Sequence, residues 1–237
     1  MRRFGLIVVL ILAVLGLGLA TLTVPEALVR YRTTVTLVVD GKTVTGSGII
    51  QVSYFKNIRL GGASASIREE TKGAAIPIFI TERDVILILM AGGINPRSNP
   101  ELIVPVAFGV SSGGIDLENL HRLETLSGTR EIPTPLLRPA ARFSNISDPT
   151  TAKFIPLYDP EVAALRGVEV QRATIEIVAP GIWPFNLFGA TGDPISTSVI
   201  DQILWIDSEP KQKQFHEALL KSGFSSGAVE TKSLLLN

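Results

Sequence analysis

The chain contains no cysteine among its 237 residues. Disulfides, thiolate metal sites, a cysteine nucleophile and lipid attachment through cysteine are therefore excluded. Histidine is nearly as scarce. His121 and His216 stand alone in sequence, each beside apolar residues of a predicted helix, so no zinc-ligand spacing exists and no metal site is expected. His121 is expected to edge the core of its helix and His216 to lie on a helix flank. Charge of one sign is also missing: 22 basic residues balance 22 acidic ones, without a basic run. A nucleic-acid binder needs a concentrated basic face, so nucleic acid is not an expected partner. No cofactor motif is legible, and no cofactor is expected.

One long apolar run is present. Phe4 to Val24 carries no charge, with Thr21 and Thr23 as its only polar members. About 20 apolar residues cross the hydrocarbon core as a helix, whereas a soluble core helix of that length would show a polar face. The run predicts a membrane contact through residues 4–24. Arg2 and Arg3 before it favour a cytoplasmic N-terminus, although Arg30 and Arg32 on the other flank reduce the asymmetry. A second reading is a signal peptide cleaved after Ala20, with Gly18 and Ala20 as the small residues that cleavage needs. Either reading places the remainder outside the cytoplasm. As an anchor, the run makes a single-pass inner-membrane protein with a periplasmic domain; as a signal peptide, it leaves a secreted or periplasmic one.

Residues 26–237 read as a single β-rich α+β domain with two or three short helices. Alternation from Arg30 to Val39, the Asp40-Gly41 dipeptide and a returning strand to Tyr54 predict one long hairpin. Gly46 and Gly48 suggest a bulge or a close backbone approach. Strand-like stretches follow at 57–67, 75–80 and 84–90. The last is apolar on both faces and should be a covered central strand. Residues 102–108 read as a strand interrupted at Pro105. Asp116 caps a helix over 115–126, with Leu117, Leu120 and Leu123 inward and Gly128 as its stop. A proline-rich connector over 133–139 leads to a short helix from Asp159-Pro160-Glu161 to Leu165. A strand over 168–178 changes apolar phase at Gln171-Arg172, which predicts a bulge. An aromatic loop spans 180–194, and a strand is expected over 196–206. Pro210 opens a helix with Phe215, Ala218 and Leu219 inward and Gly223 as its end. The tail is expected to be loose up to Leu234.

Three stretches carry a resemblance. Arg30-Tyr31-Arg32-Thr33-Thr34-Val35 with its hairpin, Arg142-Phe143-Ser144-Asn145-Ile146-Ser147-Asp148-Pro149-Thr150-Thr151, and Val168 to Ile177 occur in that order. Together they resemble an uncharacterised family of small bacterial membrane-anchored envelope proteins. The resemblance implies a membrane-associated, extracytoplasmic setting in a bacterium and implies no activity.

Two functional classes remain. Gly109-Val110-Ser111-Ser112-Gly113 matches the nucleophile-elbow pattern between an expected strand and a helix. A serine hydrolase would use Ser111, with Asp201 or Asp207 and His216 completing a triad. The competing reading is a plain connecting loop, since the upstream hairpins are not the β/α units on which that fold is built. Asp148-Pro149-Thr150-Thr151 is a ligand loop or, by the simpler reading, a capped turn. Asn145-Ile146-Ser147 is formally a glycosylation sequon, relevant only in a eukaryotic secretory pathway. The loop with Trp183, Phe185 and Phe188 concentrates aromatics between glycines. It covers one end of the β core or forms a surface for a protein, an envelope polymer or the membrane interface. The leading expectation is a non-catalytic envelope interaction or structural module, with Trp183, Phe185 and Phe188 as its binding residues.

Overall fold

The computed structural model describes residues 25–57, 66–90, 95–182, 185, 190–196, 203–225 and 231–236. The apolar run, Trp183, Phe188 and Asp201 lie outside them. Among the described residues no helix is long and apolar enough to cross a membrane.

Two antiparallel sheets form an α+β, β-rich fold. The outer sheet has the order β3-β2-β1-β9-β6, with β1 Ala27–Val39, β2 Lys42–Asn57, β3 Ser66–Lys72, β6 Thr129–Glu131 and β9 Val168–Ile177. The middle sheet has the order β4-β5-β7-β8, with β4 Ile76–Phe79, β5 Val85–Ile88, β7 Ala140–Phe143 and β8 Ala152–Ile155. Among the described residues, α-helices are α1 Pro100–Ala107, α2 Leu117–Glu124, α3 Pro160–Leu165, α4 Glu209–Lys221 and α5 Thr231–Leu235.

The hairpin is the predicted one, extended at its open end. Asp40 and Gly41 take φ values of 49° and 80°, the left-handed pair that a two-residue turn requires. Register runs without a slip from Val39↔Lys42 to Ala27↔Tyr54, so Gly46 and Gly48 form no bulge. They serve close approach instead. A Cβ on Gly46 would sit 2.4 Å from the Pro77 carbonyl oxygen, and one on Gly48 would sit 2.8 Å from Ile76 Cγ1. The missing side chains let β4 cross β2 and bring the two sheets together. The expected bulge in β9 is present: Thr36 faces Arg172 and Leu37 faces Val170, so Gln171 is skipped.

Tyr31, Val35, Leu37, Ile50, Val52 and Tyr54 point from the outer sheet into a core completed by Ile76, Ile78, Ile86, Ile88, α1 and α2. Val85 and Leu87 point the other way, into a second core with Phe143, Phe154, Trp205, Phe215 and Leu219. β5 is thus buried on both faces and flanked on both edges, as its unbroken apolar run predicts. Phe143, Trp205 and Phe215 have ring centroids 5.4–6.1 Å apart. Leu234 and Leu235 are buried, and their carbonyls accept from Met90 and Ala75 at 2.8 Å each, so the tail closes the middle sheet.

Four expectations require correction. Residues 102–107 belong to a helix, α1, despite Pro105, and Phe108 caps it. Pro100 opens it, and the Glu101 carbonyl, which Pro105 has no N–H to satisfy, accepts the Tyr54 hydroxyl at 2.7 Å. Of the strand expected over 196–206, residues 197–202 lie outside the described ones, and 203–206 form a turn, because Trp205 and Ile206 are both drawn into the aromatic core while Leu204 faces out. Leu117 is 39% exposed, since the packed stripe of α2 centres on Leu120 and Leu123. His121 is likewise exposed: it follows Leu120 and turns away from that stripe.

Candidate functional site

The aromatic loop is built on the outer sheet. Inward side chains of β1 carry odd numbers, so Arg30 belongs to the opposite, largely polar face, yet it is 1% exposed. The segment returning from the loop covers it. One Arg30 guanidinium nitrogen, Nη1, donates to the carbonyls of Thr191 and Asp193 at 2.7 Å each. Nε donates to Gln51 Oε1 at 3.1 Å, and Nη2 donates to the same oxygen. Burial lowers the Arg30 pKa, and the Asp193 charge acts against that.

Two glycines make the clamp possible. Gly181 and Gly192 have φ of 82° and 81°. A Cβ on Gly192 would lie 2.6 Å from Arg30 Nη1, and one on Gly181 would lie 2.3 Å from the Thr191 carbonyl oxygen. Thr191 Oγ1 accepts from the Ile182 N–H at 2.8 Å and donates to its carbonyl at 3.2 Å. Further along, Ser196 N–H donates to the Ile49 carbonyl at 3.0 Å, and Ile49 N–H donates to Ser196 Oγ at 2.8 Å. Arg32 bonds Glu176 at 2.7 Å, with Asp193 4.0 Å away. From this base Ile182 and Phe185 are held outward, 71% and 56% exposed. Apolar side chains in solvent forgo their burial, about 1.5–3 kcal/mol for each large one, unless something covers them.

The hydrolase residues take different positions. Ser111 follows a helix and not a strand, so the strand-turn-helix geometry of a nucleophile elbow is missing. Its hydroxyl accepts from the N–H groups of Gly113 and Gly114 at 3.1 and 3.0 Å and donates to the Gly114 carbonyl. These bonds fold its own loop and leave its proton on a carbonyl, not a base. Asp116 accepts from Asn119 N–H at 2.9 Å as the cap of α2. His216 lies on α4, its ring edge-on to Phe224 with centroids 6.2 Å apart, beside the second core. Ser111 flanks the first core, next to Val110. Asp207 is exposed just before α4. Among the described residues no three His, Cys, Asp or Glu side chains converge to hold a metal.

Asp148-Pro149-Thr150-Thr151 is a capped turn. Asp148 accepts from Thr150 N–H at 2.9 Å and from its hydroxyl at 2.7 Å, and these bonds lower its pKa. The Trp205 indole donates to the neighbouring Ile146 carbonyl at 2.8 Å. This stretch therefore seams the middle sheet to the C-terminal layer.

At the hairpin-tip end lies a cleft of about 600 Å³ between the middle sheet and α3, lined by Asp84, Arg142, Lys153, Leu165 and Arg166 among others. Arg142 is committed internally. It donates to both Asp84 oxygens at 3.1 and 2.9 Å and to Asp40 at 2.8 Å, which raises its pKa.

Sequence reasoning located the loop but missed its clamp. Arg30 is an ordinary member of an alternating strand, and its partners lie some 160 positions downstream. The available signal was the pair of glycines, Gly181 and Gly192, that brackets the aromatics. Compared with models of known families, with curated proteins and with solved structures, the chain matches none.

Proposed function

We propose that the chain is a membrane-held, extracytoplasmic envelope protein that works by binding, with the loop over 180–194 as its contact surface. The observation that carries this reading is the loop itself. A buried arginine, two left-handed glycines and a bridging threonine are spent on holding Ile182 and Phe185 in solvent. Such preorganisation lowers the ordering cost of an interface. The uncharged run over 4–24 supports membrane attachment. Arg2 and Arg3 before the run support an inward N-terminus.

Hydrolysis at Ser111 is the alternative class. A fluorophosphonate probe applied to the membrane-bound protein, with Ser111→Ala alongside, separates the two. The binding reading predicts no labelling in either. Labelling abolished by the substitution would establish a serine enzyme.

A further inference from the structure

The nature of the surface that meets the loop follows from where the loop leaves the sheet. Only Pro25 and Glu26 separate Val24, the last residue of the apolar run, from Ala27 at the start of β1. Three residue steps reach at most about 11 Å. The headgroup layer on each side of the hydrocarbon is roughly 5–7 Å thick. If the run spans a bilayer, the open end of β1 is therefore at or just above the lipid surface. β9 is antiparallel to β1, with Ile177 opposite Tyr31, so the loop leaves the outer sheet at this same end. Arg30, only three residues into β1, holds the loop's returning carbonyls. The Asp40-Gly41 tip lies at the opposite end, about 40 Å away at the usual rise of an extended strand.

We infer that the clamped loop is a second membrane contact, in which Ile182 and Phe185 enter the lipid interface beside the anchor. The inference rests on the proposed membrane attachment. A protein partner would have to wedge between the domain and the bilayer to reach these side chains, whereas lipid is already there. An apolar residue pair on a hydrogen-bonded base suits this role, because insertion gains apolar burial without first ordering that base. A single helix leaves a domain free to swivel about its junction. Anchor and loop together fix its orientation, with the hairpin tip and the Arg142 cleft turned away from the membrane.

The test uses the full chain in vesicles of phosphatidylethanolamine and phosphatidylglycerol. Because the chain has no cysteine, Ala190→Cys and Lys42→Cys each supply one labelling site for an environment-sensitive fluorophore. Ala190 is exposed, and its N–H bonds the Phe185 carbonyl at 3.0 Å, so a label there reports on the loop with Ile182 and Phe185 intact. Lipids carrying a shallow nitroxide should quench the label at 190 several-fold more than the label at 42. Ile182→Ser with Phe185→Ser should abolish the difference while the protein still floats with the vesicles. Equal quenching at both sites in floating protein, or no change on the double substitution, would overturn the inference and leave the anchor standing. Shielding of position 190 from aqueous iodide without lipid quenching would overturn it in favour of contact between copies. Failure to float would overturn attachment itself and the inference with it.

Discussion

Two buried arginines show how partners decide what a charge is worth. Arg30 has three oxygen acceptors for its guanidinium, and Gln51 and two loop carbonyls have Arg30. Arg30→Met would leave these acceptors buried and unmade, a loss on the order of 3 kcal/mol. It should also make the 180–194 segment protease-sensitive before the rest of the domain. Arg138 is buried too, yet among the described residues Nη1 meets the Met90 sulfur at 3.5 Å and Nη2 has no hydrogen-bond partner. Arg138→Met should therefore be neutral or stabilising, by about 1–2 kcal/mol. Urea denaturation of both variants checks the contrast, and equal losses would contradict it. The tyrosines offer a pH test. Burial raises the Tyr31 and Tyr54 phenols well above 10, the ordinary value, and raises Tyr158 as well. A fold that holds these protons contributes stability that is complete below pH 10 and falls as pH rises beyond it. Absorbance at alkaline pH should show Tyr31 and Tyr54 ionising only together with unfolding.

At the scale of elements, what was legible in the sequence followed local chemistry. The hairpin with its Asp40-Gly41 turn, the β9 bulge, the doubly buried β5 and the caps at Asp116 and Asp159 each rest on residues close in the chain. What was not legible depended on distant partners. Pro105 reads as a strand breaker until Tyr54 supplies the bond that the helix lacks. Trp205 reads as part of a strand until Phe143 and Phe215 draw it into a turn. The loop's aromatics were visible, but the clamp was not, because Arg30 gains its role only when segment 190–193 returns over it. Gly46 gives a direct test of element packing. Gly46→Ala would force its Cβ into the Pro77 carbonyl and should cost about 1–3 kcal/mol by parting β2 from β4. Gly41→Ala meets nothing within 4 Å and costs only its left-handed φ, about 1 kcal/mol. Thermal melts that rank these two in the reverse order would refute the close-approach role of Gly46.

For the whole molecule, the layered order has a direction. The open ends of β1 and β2, the clamped loop and the entry of the chain share one end of the outer sheet, while the hairpin tip and the Arg142 cleft share the other. On the proposed membrane attachment, this order would display the tip to the compartment outside. The most direct measurement exploits the absence of cysteine. Lys42→Cys, at the exposed tip, is treated in intact spheroplasts with a membrane-impermeant maleimide, and the membranes are then washed with alkaline carbonate. Labelling without lysis, on protein that stays in the washed membranes, is the predicted result. Labelling only after lysis, or release of the chain into the wash, would contradict a membrane-held domain that faces outward.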